Sequence, residues 1–376
     1  MRVVVIGRTY ALEINRAKWT YLPDEVRLFL VTPDKIRHTL KVYPAELSTR
    51  WPHFLLKAWG TNRLSGFAFH PLKLWSLLRS LRPDLIQVDE EPSSLALLEV
   101  MLLKRGLKCP VLFFSWENLP IRYRWPFSAI RRFNLHRADG AIAGTQEAGQ
   151  RLREAGFSGP MAVIPQLGVD PERFAPRRND SLRRQLGLRT FTIGYLGRLV
   201  PEKGLWVLLD ALSSLQGDWQ CLLVGEGPLR EKGLQQAQRR SIRERVFWIP
   251  TVPHTAVPEY LNTIDVVVLP SLTTERWKEQ FGHILIEAMA CGVPVIGSDS
   301  GAIPEVIGDA GLIVPEGNPL ALAQAIDFLR SSELQRATLG RKGRERVLAL
   351  YTNERICRQT LGFWQEVLDA RTSFCR

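Results

Sequence analysis

The sequence contains no run of about 18 uncharged apolar residues, so it offers no helix able to span a bilayer. Cysteine is scarce: Cys109, Cys221, Cys291, Cys357 and Cys375 are odd in number, far apart and without a Cys-x-x-Cys pair. That spacing argues against a disulfide framework or a zinc site and fits a reducing, cytoplasmic compartment. No Gly-x-Gly-x-x-Gly follows the first apolar run, which disfavours a dinucleotide-binding dehydrogenase. A Walker lysine loop, a nucleophilic triad and metal-ligand spacings are likewise missing. With no low-complexity or collagen-like repeat either, an ordinary globular chain remains.

What is present is a chain of 376 residues, 45% hydrophobic and 23% charged, long enough for two domains. Fifty Lys and Arg outnumber 38 Asp and Glu, for a net charge of +12. The excess is lopsided. Residues 1–170 carry 24 basic and 15 acidic side chains, a net +9, against 26 and 23 in residues 171–376. An anionic surface or substrate met by the first half would account for this. Phosphorylated glycans and anionic membrane both qualify. Nucleic acid fits less well, because no recognition-module signature accompanies the charge.

Short β-branched runs alternate with helical patterns almost from end to end. Residues 3–6, 85–88, 111–114 and 141–143 read as buried strands of a first parallel sheet, and 191–195, 219–224, 266–269 and 293–297 as those of a second. The apolar run after Met1 is too short for a signal peptide and belongs to the first strand. Two doubly wound α/β domains are expected, each binding ligands beyond the carboxyl ends of its strands. Between them, residues 170–181 are rich in Pro and charge and read as a linker; Asp180 or Ser181 would cap a helix over 182–186 that Gly187 closes. Ile356, Leu361, Phe363, Trp364, Val367 and Leu368 recur at helical spacing, which predicts a terminal helix over 353–370 that crosses back over the first domain.

The strongest local signal is Phe191-Thr-Ile-Gly-Tyr-Leu-Gly197-Arg198-Leu-Val-Pro201-Glu-Lys203-Gly204-Leu. A strand ends at Gly197 and a helix starts near Pro201, so Arg198 and Lys203 flank a helix N-terminus whose N–H groups favour an anion. Arg supplies a two-pronged donor and Lys a point charge, which together neutralise a diphosphate without a metal. Two solvated cations in a surface turn are the alternative. The second signal is Lys278-Glu279-Gln-Phe281-Gly282-His283-Ile-Leu-Ile-Glu287-Ala-Met-Ala-Cys-Gly292-Val-Pro-Val. A helix is expected over 282–291, with Ile284, Leu285, Ala288 and Met289 facing inward and Gly292 stopping it. Glu279 and Glu287 could each accept from vicinal hydroxyls, as a sugar and a ribose present them. Two exposed helix glutamates are the alternative there, and His283 reads as a packed or surface residue.

Together these segments resemble the retaining glycosyltransferases of family 4, which have the GT-B fold. The resemblance runs through Ala138-Asp-Gly-Ala-Ile-Ala-Gly-Thr145, Val163-Ile-Pro-Gln-Leu-Gly-Val-Asp170, Gly197-Arg198 with Glu202-Lys203-Gly204, Leu223-Val-Gly225-Glu-Gly227-Pro-Leu, and the Glu279-x7-Glu287 pair. It implies two Rossmann-like domains facing a cleft: an acceptor domain over 1–170, a linker over 171–187, a nucleotide-sugar domain over 188–352 and a C-terminal helix over 353–376. It implies that Arg198 and Lys203 hold the diphosphate and stabilise the leaving nucleotide. Glu279, with the backbone at Phe281 and Gly282, would orient the sugar, Glu287 would meet the ribose, and Gly197, Gly225, Gly227 and Val252 would line the nucleotide. A UDP- or GDP-sugar donor, a glycan or lipid-linked acceptor, and no metal or other cofactor complete the expectation. A sugar-nucleotide 2-epimerase, or a non-catalytic nucleotide-sugar binder, would share the architecture.

The first half departs from the family pattern. Only Gly7 remains of the usual glycine-rich loop, followed by Arg8-Thr9-Tyr10, and where many members carry a His near the sugar the chain reads Phe113-Phe114-Ser115-Trp116-Glu117-Asn118. Acceptor-side candidates are therefore Gly7, Glu13, Asn15, Glu90, Glu117 and Asn118. The run Asp89-Glu90-Glu91 ends a strand and could take a proton from an attacking hydroxyl, or simply be solvated. From Pro120 to Arg137 five arginines interleave with four aromatics. Such a segment suits an anionic membrane face met through Arg122, Arg124, Arg131 and Arg132, or else an ordinary basic helix packed on the sheet. The expected location is the cytoplasm, peripheral on the inner face of the membrane.

Overall fold

Val3, Val4, Val5 and Ile6 are all fully buried, and they alternate between two cores: Val4 and Ile6 join one, Val3 and Val5 the other. Strand β1 (Arg2–Ile6) is thus covered on both faces, which is why its sequence is continuously apolar instead of alternating. The computed structural model describes residues 1–38, 41–63 and 65–374. After β1 come β2 (Arg27–Pro33), β3 (His53–Leu56), β4 (Leu85–Val88), β5 (Val111–Ser115), β6 (Gly140–Ala143) and β7 (Met161–Val163). They form one seven-stranded parallel sheet of order β7-β6-β5-β4-β1-β2-β3.

A second parallel sheet holds β8 (Thr192–Leu196), β9 (Gln220–Val224), β10 (Val246–Ile249), β11 (Val266–Leu269), β12 (Val295–Ser298) and β13 (Leu312–Val314). Its order is β10-β9-β8-β11-β12-β13. In both sheets the chain first moves outward to one side and then returns to the other. The reversal falls between β1 and β4 in the first sheet and between β8 and β11 in the second, and strand ends diverge there to leave a crevice. The chain divides into two compact units, Met1–Gly168 together with the segment from Asn353 onward, and Val169–Thr352.

The eight strands expected from apolar runs all occur, with ends shifted by at most two residues. Five others in these two sheets were not anticipated. Of these β3, β7 and β13 are incompletely buried, so their sequences carry a weaker apolar signal. One capping expectation is corrected. The helix after the expected linker starts at Asp180, and its cap is Asn179, whose side chain accepts from Leu182 N–H at 3.0 Å. Asp180 already lies inside the helix, so it serves the first turn rather than the cap.

The terminal helix, Asn353–Phe374, packs on the first sheet. Its Ile356, Phe363, Trp364 and Val367 are buried in the core that contains Val3 and Val5. Trp364 stacks on Trp19 with ring centroids 5.4 Å apart, and its indole N–H donates to Gln87 Oε1 at 2.7 Å. Removing the ring empties a large buried volume, so Trp364→Ala should destabilise the first unit by about 3–5 kcal/mol. Trp364→Phe keeps most of the burial and should cost about 1 kcal/mol through the lost hydrogen bond. Urea denaturation checks both, and an unchanged midpoint in Trp364→Ala would put the helix outside the cooperative unit.

Candidate active site

In the second sheet, the turn after β8 is shaped by close backbone approach. Gly225 has φ 143°, and a Cβ there would sit 2.0 Å from the carbonyl oxygen of Gly197. Tyr195 OH donates to the carbonyl of Arg198 at 2.7 Å, which fixes the same turn from below. Pro201–Lys203 is a single 3-10 turn, followed by helix Leu205–Ser214. Between them Gly204 takes φ 72° with Pro270 O only 1.8 Å from where a Cβ would stand, so no other residue fits without displacing the backbone.

The approach of Gly225 to Gly197 bounds a cavity of about 280 Å³. Gly197, Arg198, Gly225, Val252 and Glu287 line it, as do Glu226, Thr251, Val257 and Ile284. Arg198 is exposed there. The helix that brings Glu287 is His283–Ala290, with Gly282 as its left-handed cap residue. Leu285, Ile286, Ala288 and Met289 form its buried side. Ile284, expected to face inward, instead contributes to the cavity wall. Phe281 is buried, and burial pushes the pKa of half-buried His283 down.

Lys203 and Glu279 do not line the cavity but find each other across the sheet reversal. Lys203 Nζ donates to Glu279 Oε2 at 2.5 Å, and Ser271 Oγ donates to the same oxygen at 2.7 Å. Glu279 is 5% exposed, and a carboxylate so deeply placed requires such partners. The Trp277 ring lies 4.9 Å from the ammonium and adds a cation–π contact. Gly227 does not line the cavity, although its backbone also approaches Leu199 O closely.

The first sheet has its own cavity of about 360 Å³, again at the ends of the strands flanking the reversal. Arg8, Asn15, Asp89, Glu90, Glu91, Trp116 and Gln166 are among its lining residues. Arg8 makes a two-pronged pair with Glu90: Nε to Oε1 at 2.9 Å and Nη2 to Oε2 at 2.5 Å. Its Nη1 also donates to the carbonyls of Thr61 and Arg63. Asp89 accepts from Tyr10 OH at 2.5 Å, from Gln87 Nε2 at 2.6 Å and from Gln166 Nε2 at 3.2 Å. Glu91 accepts from Ser115 Oγ at 2.6 Å and from the Trp116 N–H at 2.8 Å, yet burial pushes its carboxyl up to about 7. Burial likewise raises Glu90, against the pull of Arg8.

Of the acceptor-side candidates, Asn15 and Glu90 line this cavity. Gly7 stands behind it, where a Cβ would come within 3.1 Å of Asp89 O. Glu13 is exposed, while Glu117 and Asn118 are buried outside the lining. Glu117 is held by Arg131 at 2.6 Å and by Tyr123 OH at 3.1 Å. Arg131 therefore turns inward and is not offered to an external anion, a change from its expected place beside Arg122, Arg124 and Arg132. Sequence reasoning passed over His254, Ser271, Trp277 and Gln166. Ser271 and Gln166 follow strands within three residues, so the strand-end rule could have found them. Among the described residues, no group of three His, Cys, Asp or Glu side chains is arranged to hold a metal ion.

The chain matches the family described as Glycosyltransferase Family 4 over residues 24–173 and Glycosyl transferases group 1 over residues 179–346. It is similar to a GDP-mannose-dependent alpha-(1-6)-phosphatidylinositol monomannoside mannosyltransferase of Mycolicibacterium smegmatis, 31% identical over 61% of this chain and 62% of that one. A putative teichuronic acid biosynthesis glycosyltransferase, TuaC of Bacillus subtilis, is 27% identical over 84% of this chain and 77% of its own length. The chain thus spans about three fifths of the mannosyltransferase. Among solved structures, Anabaena HepE in complex with UDP superimposes with a TM-score of 0.78 at 20% identity, covering 97% of this chain and all of that one. A glycosyltransferase of Rickettsia africae gives 0.77 at 17% identity, covering 98% of each chain. These structures share the two-sheet architecture, and the two family matches fall on the two sheets in order: the chain belongs to the GT-B glycosyltransferases of family 4.

Proposed function

We propose that the chain transfers a hexosyl group, with retention, from a nucleoside-diphosphate sugar to a hydroxyl of a glycan or lipid-linked acceptor, without need of a metal ion. The observation that carries this reading is the cavity at the reversal of the second sheet, where Gly197, Arg198, Gly225, Val252 and Glu287 converge, with the Lys203–Glu279 pair at the same strand ends. In this reading Arg198 and Lys203 take the diphosphate and offset the charge that develops on it as the donor bond breaks. Glu287 accepts from the ribose, and Glu279 from a sugar hydroxyl. The bond from the sugar C1 to the β-phosphate oxygen breaks, and the acceptor oxygen bonds C1 on the same face. The acceptor proton passes to the departing phosphate oxygen, so no enzyme nucleophile is required.

The acceptor belongs, in the same reading, to the cavity of the first unit. Support comes from the Arg8–Glu90 pair and Asp89, which hold polar groups toward a space with apolar walls from Leu12, Ile36 and Phe114. We further propose that the enzyme works in the cytoplasm on the inner membrane face. Trp125 is 83% exposed, and Ile121 and Phe133 are exposed as well, among the exposed Arg122, Arg124 and Arg132. Two aromatic rings and one aliphatic side chain set among cations suit an anionic lipid surface.

Saturating UDP or GDP should raise the melting temperature, since ligand at 100 times its Kd adds about 2.7 kcal/mol of stability. Arg198→Ala and Lys203→Ala should each lower turnover by about 10²–10³-fold; wild-type turnover in both would remove them from the site. A donor that changes configuration without acceptor product would point to epimerisation instead.

Glu91 gives a pH test. Its folded carboxyl holds a proton up to about 7 against an ordinary 4.5, so the folded state binds more protons between these values. The associated stability is full below about 4.5 and lost as pH rises through about 7. Glu91→Gln should flatten that decline in urea denaturation across the window, and an identical slope would contradict the burial argument.

Wild-type protein should sediment with liposomes containing anionic lipid, and Trp125→Ala with Arg122→Ala and Arg124→Ala should reduce recovery several-fold. Equal recovery with neutral and anionic liposomes would sink the membrane proposal.

A further inference from the structure

We infer that His254 is a positioning residue for nucleotide recognition, holding Glu287 so that its carboxylate reads the ribose hydroxyls. The inference rests on the assignment of Glu287 to the ribose made above. His254 lies in the turn between β10 and helix Val257–Leu261, two residues past Val252, which lines the donor cavity. Its Nε2 stands 2.8 Å from Glu287 Oε1. An ionised carboxylate only accepts, so Nε2 carries the proton and donates.

The two side chains occupy different environments. The Glu287 side chain is 14% exposed and lines the cavity, whereas the His254 side chain is 44% exposed and does not line it. The imidazole therefore holds the carboxylate from outside the space a nucleotide would fill. Its ring is steadied in turn by buried Phe174, 5.6 Å away between centroids. Phe174 is itself fixed, because its carbonyl accepts from Arg344 Nη1 at 3.1 Å.

A glutamate on a helix has three rotatable bonds, and ordering them on ligand binding costs free energy. With Oε1 engaged by His254, that ordering is already done; Oε1 keeps a second lone-pair site and Oε2 both of its own, so the fixed carboxylate can accept from two adjacent hydroxyls at once. A carboxylate held in one rotamer distinguishes a vicinal diol from a single hydroxyl, because a missing hydroxyl leaves a desolvated acceptor unpaired. His254 thus contributes to the preference for ribonucleotides over deoxyribonucleotides without touching the nucleotide.

Calorimetric titration with UDP and 2′-deoxy-UDP, and with GDP and 2′-deoxy-GDP, tests this on wild type, His254→Ala, His254→Gln and Glu287→Ala. His254→Ala should weaken ribonucleotide binding about tenfold and lower the ribo-to-deoxy preference toward that of Glu287→Ala. His254→Gln, whose amide can donate from a similar position, should restore most of both. Unchanged affinity and preference in His254→Ala, while Glu287→Ala loses them, overturns the role of His254 alone. No loss in either variant overturns the ribose assignment beneath it. Equal loss in His254→Ala and His254→Gln, with unaltered melting temperatures, also overturns the positioning role, since the donor would then not be what matters.

Discussion

Each sheet reverses its strand order once, and at each reversal a cation from one strand end meets a buried carboxylate from the other. In the first unit the pair is Arg8 after β1 with Glu90 after β4; in the second it is Lys203 after β8 with Glu279 after β11. The carboxylates sit with side chains only 2% and 7% exposed, where an unpaired charge would cost several kcal/mol. Neither partner can therefore move far alone, and the pair ties two loops that the sheet itself leaves free to diverge. The surrounding features depend on this. Arg8 reaches onward to the carbonyls of Thr61 and Arg63, and Lys203 lies against Trp277, so each pair also secures a loop that no strand reaches.

The two units use the same topology to different chemical ends. In the second, close approach is made by backbone: Gly197, Gly225 and Gly204 open the turns, and side chains of both signs stand around them. In the first, the glycine-rich loop of the family is reduced to Gly7, and side chains take over. Tyr10, Gln87 and Gln166 all converge on Asp89, and Gln87 receives the indole of Trp364 from the terminal helix. One wall of the first cavity is thus supported by the last helix of the chain. A surface built from buried hydrogen-bonded side chains is more selective for its occupant than a glycine turn, since every unmet donor or acceptor is penalised.

Fold class was legible because parallel strands buried on both faces leave continuous apolar runs, as in Val3 to Ile6. Edge strands such as β3 and β13 lack that signature, and β2 was passed over although Leu28 to Val31 is just as apolar. Around the cavity of the second sheet, Arg198, Gly225 and Glu287 could be named because spacing along each strand–turn–helix unit controls where they emerge. His254 and Trp277 could not, since their roles come from meeting residues 33 and 74 positions away, and no local period records such a meeting. Glu117 and Arg131 show the reverse failure. Each was read by itself, as acceptor-side carboxylate and as surface cation, and together they neutralise one another inside the fold.

That last pair bears on the charge asymmetry. Several cations of the first half turn inward: Arg8, Arg131, fully buried Arg16 bonded to the carbonyls of Tyr10 and Ala11, and Lys18 beneath Trp19. Burial pushes the Lys18 ammonium down to about 8, with Asp89 opposing the shift. Had these four been the source of the excess, the +9 would be an internal matter with no bearing on partners. They are largely matched, however, by the buried carboxylates Asp89, Glu90 and Glu117, with Glu91 adding its charge only as pH rises through about 7. The interior is close to balanced, so the excess stands on the outer surface of this unit, in residues such as Arg122, Arg124 and Arg132. Charge in that place acts over about a Debye length and weakens with salt, as attraction to an anionic layer does and internal ion pairing does not.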